Sequence, residues 1–323
     1  MEHFLSCDWG TSSFRLRLIE ANSLKVIAAI RSKEGIADTY RSWWGQKAVV
    51  EREAFYMRII KDQINALNQQ DDVQRSGISL SGIPVVLSGM ASSTIGLVDI
   101  PYKVLPFALD GSDLTIRKLG GQFDNSVIII SGACTENDVM RGEETKVLGC
   151  KHYLTCIDQN LQLLMPGTHP KHIVIKDQQI RGFKTYMTGE FFDLLAGQSV
   201  LSGSVQAGGD LKDPICGQHF KEGLEAAQQG NILHSSFLVR SRQVLHQVPA
   251  PYNYYYLSGL LIGTELKEVN KMFPVYLVSA GLHTALYENA CAVLGISIAQ
   301  IIDADEALIR GQQVVLRKVV LLI

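Results

Sequence analysis

The sequence has no apolar run long enough to cross a bilayer: its longest, such as Val127–Ile130 and Val319–Ile323, fall well short of the ~18 residues required. It opens Met1-Glu2-His3-Phe4, without the basic segment and apolar core of a secretory leader, so no signal peptide is expected. No stretch gathers Lys and Arg into the dense stripe that a phosphate backbone needs, and 30 basic against 32 acidic side chains leave a formal charge of -2. Nucleic acid is therefore not expected as a partner. The six cysteines are scattered, with no C-x-x-C pair and no His-rich segment at zinc-site spacing, which points to reduced thiols packed as small apolar groups. These absences lead to the expectation of a soluble, cytoplasmic protein that acts on a small molecule, with no membrane and no nucleic-acid partner; a homodimer is compatible with them.

What is present is ordinary globular material, 46% hydrophobic and 19% charged, in 323 residues. At about 150 residues per domain this length suggests two domains. Phe4–Asp8, Phe14–Glu20 and Val26–Ser32 read as three strands of an antiparallel meander, because Phe14, Leu16 and Leu18 alternate with Arg15 and Arg17. Phe55, Ile59, Ile60, Ile64 and Leu67 recur at helical spacing and predict a helix over Arg52–Gln69. Short apolar runs at Val85–Ser88 and Val127–Ser131 read as buried strands.

Near residue 160 the order begins again: Leu161–Met165, a turn at Pro166–Pro170, His172–Lys176, Gly182–Met187, then a helix over Glu190–Leu201. Gly10-Thr11 and Gly167-Thr168 fall at matching places, a weak internal repeat supported by the shared strand, turn, strand, strand, helix order. Helices are predicted over Pro214–Gln229, Phe237–His246 and Tyr252–Val269, then strand Val275–Ser279, helix His283–Leu294, strand Ile298–Ile302 and a last helix from Glu306. The expected fold class is α/β. The expected domains are 1–155, with a first phosphate loop and the substrate site, and 156–323, with a second loop.

In Cys7-Asp8-Trp9-Gly10-Thr11-Ser12-Ser13 a strand delivers an acid, then a glycine turn, then three hydroxyls. Amides and hydroxyls can bind phosphate oxygens, and a carboxylate at a strand end can hold Mg²⁺ through water. A hairpin turn in which these groups satisfy only local backbone fits the same residues. The second turn, Met165-Pro166-Gly167-Thr168-His169-Pro170-Lys171, offers Gly, Thr and Lys but has Met165 in place of the acid. Neither turn is a Walker P-loop. Between them, Glu136-Asn137-Asp138-Val139-Met140-Arg141-Gly142-Glu143-Glu144-Thr145 carries four acids and an arginine, which can supply a general base and an anion-binding cation or simply decorate a helix start. Adjacent helical residues point about 100° apart, so at most one of Glu143 and Glu144 can face a substrate squarely.

Taken together, Asp8-Trp9-Gly10-Thr11-Ser12-Ser13, Ser88-Gly89-Met90-Ala91 with Pro101-Tyr102, Val139-Met140-Arg141-Gly142-Glu143-Glu144-Thr145, Pro166-Gly167-Thr168-His169, Met187-Thr188-Gly189-Glu190, Tyr256-Leu257-Ser258-Gly259-Leu260-Leu261-Ile262-Gly263 and Ala280-Gly281-Leu282 before Tyr287 resemble the 2-dehydro-3-deoxygalactonokinase family, within the sugar kinase, chaperone and actin superfamily. The resemblance implies two ribonuclease H-like, actin-like ATPase domains flanking a nucleotide cleft, and ATP- and Mg²⁺-dependent phosphorylation of 2-dehydro-3-deoxy-D-galactonate at its 6-hydroxyl. It implies nucleotide contacts from Gly10, Thr11, Ser12 and Ser13, from Gly167, Thr168, His169 and Lys171, and from an adenosine segment at Ala280, Gly281 and Leu282. Asp8 is expected to hold the metal and to be catalytic in that way, and Glu143 is the expected base, with Glu144 and Asp138 as alternatives. Substrate contacts are expected from Arg141, Glu144, Ser92 and Tyr102. Pro170-Lys171-His172 departs from the Ser-Lys-Trp expected for the family, and Lys146 stands where Gln is expected. A kinase for another sugar or sugar acid, or a non-kinase nucleotide switch of the superfamily, are the alternatives. Trp43 and Trp44 could cap a sugar pocket or simply pack in a surface loop.

Overall fold

The computed structural model of the protein describes residues 2–46, 50–120, 124–155 and 157–321. They form two compact units: Met1–Thr155 with Gln178–Ile180 and Ala304–Ile323, and Cys156–Asp177 with Arg181–Asp303.

The first unit opens with the meander β1 (His3–Trp9), β2 (Phe14–Glu20) and β3 (Val26–Ser32). Helices α1 (Ile36–Gly45), α2 (Arg52–Asn68) and α3 (Asp71–Ser76) lead to the buried strand β4 (Val85–Gly89). Then come β5 (Lys103–Val104), β6 (Phe107–Ala108), β7 (Ile116–Leu119), β8 (Val127–Ile130), β9 (Ala133–Cys134), β10 (Val139–Met140) and helix α4 (Glu143–Cys150). The main sheet runs β3-β2-β1-β4-β8-β7, with β4 parallel to β1 and to β8. Alternate residues Leu5, Cys7 and Trp9 pack with Phe55, Tyr56, Ile60 and Ile64 of α2 in one core. The intervening Phe4 and Ser6 are also fully buried, so β1 is covered on both faces and reads as a nearly continuous apolar run.

The second unit repeats the plan: β11 (Leu161–Met165), β12 (Lys171–Lys176), β13 (Gln179–Thr185), then helices α5 (Thr188–Gln198), α6 (Pro214–Gln229), α7 (Ile232–His246) and α8 (Ala250–Leu266). Strand β14 (Val275–Ser279), helix α9 (Leu282–Leu294) and strand β15 (Ile298–Asp303) finish it. Its strand order β13-β12-β11-β14-β15 matches β3-β2-β1-β4-β8. Gln179 and Ile180 pair with β6, which is why this short piece of β13 groups with the first unit.

The last helix, α10 (Ala304–Leu321), departs from the expected division into 1–155 and 156–323, because it packs on α4 and β4 of the first unit. Two glycines allow the approach: a Cβ on Gly149 would overlap the Ala307 carbonyl oxygen, and one on Gly311 that of Thr145. Gln312, fully buried, donates from Nε2 to the Cys7 carbonyl at 2.9 Å and to Ser88 Oγ at 3.0 Å, tying β1 to β4 two residues before the end of β1 and one before the end of β4. At the helix start Asp305 lies 2.5 Å from Arg15 Nη1 and 2.9 Å from Arg17 Nη2.

Candidate active site

In the first unit the candidate residues gather where β1 and β4 end. Asp8 pairs with Ser88 and Trp9 with Gly89 across the parallel ladder, and a side chain on Gly89, whose φ is 93°, would meet the Trp9 carbonyl and Asp8 Oδ1. Gly142, with φ 108°, comes so close to Gly89 that a Cβ would lie 3.4 Å from its Cα. Both positions favour glycine, since other residues rarely take this backbone, and at Gly89 a side chain would also clash with the Trp9 carbonyl. They bring the Arg141–Glu144 segment to the Asp8 strand end. The turn after β1 is closed by Gly10 N–H donating to the Ser13 carbonyl at 2.9 Å, and its Gly10 and Thr11 carbonyls accept from the amides of Ile36 and Ala37 at the start of α1. Thr11, Ser12 and Ser13 stay exposed.

The small sheet β10-β9-β5 delivers Arg141 at the end of β10. Its guanidinium lies 4.1 Å above the Tyr102 ring, and Nη1 donates to the Ser92 carbonyl at 2.5 Å and to Ser92 Oγ at 2.6 Å. Nε is buried with no hydrogen-bond partner among the described residues. Stacked on a ring and anchored through Nη1, the guanidinium is held in one orientation. Gly132 lets Tyr102 take its place, because a Cβ there would press into the ring.

Glu143 and Glu144 divide as helical geometry requires. Glu143 is half-buried, and its Oε2 accepts from the Arg141 amide at 3.1 Å. Glu144 has no exposed surface; its carboxylate accepts from the Gly142 amide at 2.6 Å and from Thr145 Oγ1 at 3.0 Å. Burial, with the adjacent Glu143 charge, pushes the Glu144 carboxyl up to about 7. Glu144, expected to contact substrate, here turns its oxygens to the start of its own helix. Ser92, also expected at the substrate, is likewise fully buried, and its Oγ accepts from Arg141. Trp43 packs half-buried on the core and donates from Nε1 to the Val50 carbonyl at 3.0 Å, while Trp44 is exposed.

In the second unit, the turn after β11 leans on the start of α5. A Cβ on Gly189 would meet the Gly167 carbonyl and Thr168 Cα, the Glu190 amide donates to the Thr168 carbonyl at 3.1 Å, and His169 Nε2 lies 2.6 Å from Glu190 Oε2. Lys171, expected to contact nucleotide, is buried, with Nζ donating to the His169 carbonyl at 3.1 Å, so it braces the turn from inside. Gly167 and Thr168 line a cavity of about 210 Å³ together with Thr188, His283 and Tyr287. The last two follow the exposed Ala280, Gly281 and Leu282, so both predicted segments of this unit border one cavity or its edge. Sequence reasoning missed Gln312, which only the return of α10 reveals, and Glu265, which lies under this cavity; the Thr188 hydroxyl was visible in the Met-Thr-Gly-Glu string but was assigned no role.

These two sheets of matching order, each ending in a glycine-threonine turn, define a sugar-kinase type of actin-like ATPase fold. A solved structure with that kind of fold, the activator of the 2-hydroxyisocaproyl-CoA dehydratase from Clostridium difficile with bound ADPNP, aligns over 98% of this chain and 95% of its own with a TM-score of 0.50 at 10% identity. The sequence profile of the 2-keto-3-deoxy-galactonokinase family matches residues 8–315, and the chain belongs to that family. A Rhizobium meliloti (strain 1021) protein assigned as a 2-dehydro-3-deoxygalactonokinase is 29% identical over 96% of this chain and 95% of its own length. The 2-dehydro-3-deoxygalactonokinase of Escherichia coli (strain K12) is 32% identical over 68% of this chain and 73% of its own. A crystal structure of a Sinorhizobium meliloti protein, also assigned as a 2-dehydro-3-deoxygalactonokinase, superposes with a TM-score of 0.78 at 28% identity, covering 98% of this chain and 99% of the other. The chain is thus a sugar kinase, and kinase chemistry implies ATP as co-substrate.

Proposed function

We propose that the protein transfers the γ-phosphoryl group of ATP to the 6-hydroxyl of 2-dehydro-3-deoxy-D-galactonate, in the cytoplasmic breakdown of galactonate. The observation that carries this reading, beside the family, is Arg141: a guanidinium stacked on Tyr102, held by Ser92 and with a buried unpaired Nε, next to Glu143 and close to the Asp8 strand end. A sugar acid differs from a neutral sugar by its carboxylate, and a fixed planar cation is the group that reads a carboxylate.

Glu143 takes the proton of the 6-hydroxyl as that oxygen bonds to the γ-phosphorus, and the bond from phosphorus to the β-bridging oxygen breaks to leave ADP. Thr11, Ser12 and Ser13 of the first turn, and Gly167, Thr168 and His169 of the second, are assigned to the phosphates, and Ala280, Gly281 and Leu282 to adenosine. No three His, Cys, Asp or Glu side chains cluster as a metal site among the described residues. A lone carboxylate such as Asp8 would suit a Mg²⁺ held chiefly by phosphates and water. That ion would offset charge on the phosphates.

The test is ADP release with a panel of sugars and sugar acids, followed by three variants. The 2-dehydro-3-deoxy acid should be preferred over neutral hexoses, and equal or better turnover of glucose, galactose or glycerol refutes the substrate. Asp8→Asn should abolish transfer, Glu143→Gln should lower kcat by roughly 10²–10⁴ with nucleotide binding retained, and Arg141→Met should raise KM for the acid. A fully active Asp8→Asn protein removes the phosphate-loop assignment.

A further inference from the structure

Glu265, on the last turn of α8, is 3% exposed, yet its carboxylate is surrounded by donors from three other elements. Oε1 lies 2.9 Å from Nε2 of the equally buried His172 on β12. Oε2 accepts from Thr188 Oγ1, at the first residue of α5, at 2.5 Å, and from the Tyr287 hydroxyl on α9 at 2.7 Å. Each hydroxyl carries one proton, and here both protons are spent on Glu265. Burial and the Glu265 charge raise the Tyr287 pKa well above its ordinary value, so that proton stays in place. Ser258, a third hydroxyl on the wall of the 210 Å³ cavity, donates its proton to the Tyr254 carbonyl at 2.8 Å.

Thr188 and Tyr287 line that same cavity. With their protons committed inward, their oxygens can only accept, and Asp193 on the wall adds a further acceptor, while Thr168 and His283 elsewhere on the wall can still donate. We propose that Glu265 sets the polarity of this part of the cavity: by holding the protons of Thr188 and Tyr287 it makes the Thr188–Tyr287 stretch of the wall accepting, so that this stretch selects a ligand portion bringing N–H or O–H donors. This rests on the reading of the second unit as the nucleotide-binding one. The shared chemistry, a donor, has two sources in an adenine nucleotide, the exocyclic amine of the base and the ribose hydroxyls. A ligand group presenting a carbonyl to this wall would leave two acceptors facing each other, and the loss of one hydrogen bond with an unpaired buried group is worth about tenfold in affinity. Glu265 is a positioning residue: it touches no reacting atom and acts through Thr188 and Tyr287.

The experiment is calorimetric titration of the full-length protein with ADP, with IDP, in which a carbonyl replaces the amine, and with 2′,3′-dideoxy-ADP, which lacks the ribose hydroxyls. In the native protein at least one analogue should bind about tenfold more weakly than ADP. That ratio should fall below about threefold in Thr188→Val or in Tyr287→Phe, and also in Glu265→Gln, whose amide can donate to a hydroxyl and turn its proton toward the ligand. Equal binding of all three nucleotides by the native protein overturns the inference and leaves the kinase assignment standing. A native ratio that persists undiminished in all three variants overturns it as well. Failure to bind any of the three nucleotides overturns both this inference and the nucleotide assignment. Circular dichroism checks each variant, and if Glu265→Gln fails to fold, the two hydroxyl variants decide the question.

Discussion

Replacing Glu144 by Gln should remove a pH dependence from the stability of the first unit. The carboxyl is fully buried, and its value of about 7 in the folded chain compares with an ordinary 4.5. Below about 4.5 it is protonated in both folded and unfolded chains. Between 4.5 and 7 the folded chain keeps a proton that the unfolded chain has released, so stability falls as pH rises; above 7 both are ionised and the loss is complete. A shift of about 2.5 units at ~1.4 kcal/mol per unit makes that loss about 3 kcal/mol. Glutamine retains an acceptor for the Gly142 amide and cannot ionise. The assay is urea unfolding at pH 4.5 and pH 8, followed by tryptophan fluorescence. Trp9, Trp43 and Trp44 are the three tryptophans of the chain and all belong to the first unit, so the signal reports the unit that contains Glu144. The native protein should lose about 3 kcal/mol more than the Gln variant between the two pH values, and other titrating groups cancel in the comparison. Parallel pH profiles for the two proteins would refute the reasoning.

Two further substitutions probe the return of α10. Gly311→Ala places a methyl group on the Thr145 carbonyl oxygen, so it should destabilise the protein by about 1–3 kcal/mol, read by calorimetry; an unchanged Tm would deny the close helix crossing. Asp305→Asn leaves Arg17, 4% exposed, beside a neutral partner. The cost should be about 2 kcal/mol, below that of a fully buried pair because the Asp305 side chain is 42% exposed. Burial works against ionisation of Asp305, but Arg17 and Arg15 outweigh it and hold the carboxyl below its ordinary value. Its stabilisation is therefore present above about pH 3.8 and lost as pH falls through the lower folded value, so acid should narrow the gap between native and Asn proteins. A gap that widens on acidification would reject the pairing.

Strands and helices with strong periodicity were legible in advance, because their residues answer to local pattern: β2 and α6 follow the alternation and the 3.6-residue repeat that predict them. Boundaries set by backbone conformation were not. The hairpin between β12 and β13 turns on Asp177 and Gln178, both with positive φ, and without the usual Asn-Gly or Asp-Gly signal the second strand was expected three residues late, at Gly182. Helix α7 begins at Ile232 because Asn231 caps the Leu233 amide at 2.9 Å, a signal that the apolar pattern from Phe237 hides. At the site, the turns and the Arg141–Glu143 segment are chemically conspicuous in one dimension. The burial of Glu144, Ser92 and Lys171, the grip of Gln312 and the convergence on Glu265 depend on contacts between distant segments, which no local pattern encodes.

The place of α10 in the chain has a consequence for the order in which the protein can be completed. The ribosome makes the meander carrying Asp8 well before the helix that crosses α4 and fastens Cys7 to Ser88, which emerges only after the whole of 156–303. The second unit needs nothing downstream of Asp303 to bury its core and can fold while synthesis continues. The first unit must wait, with Gly149, Thr145 and the Ser88 hydroxyl uncovered, until residues 304–321 emerge. A nascent chain arrested before Ala304 would therefore protect its second half from protease while its first half remained cleavable, the reverse of the usual N-to-C order.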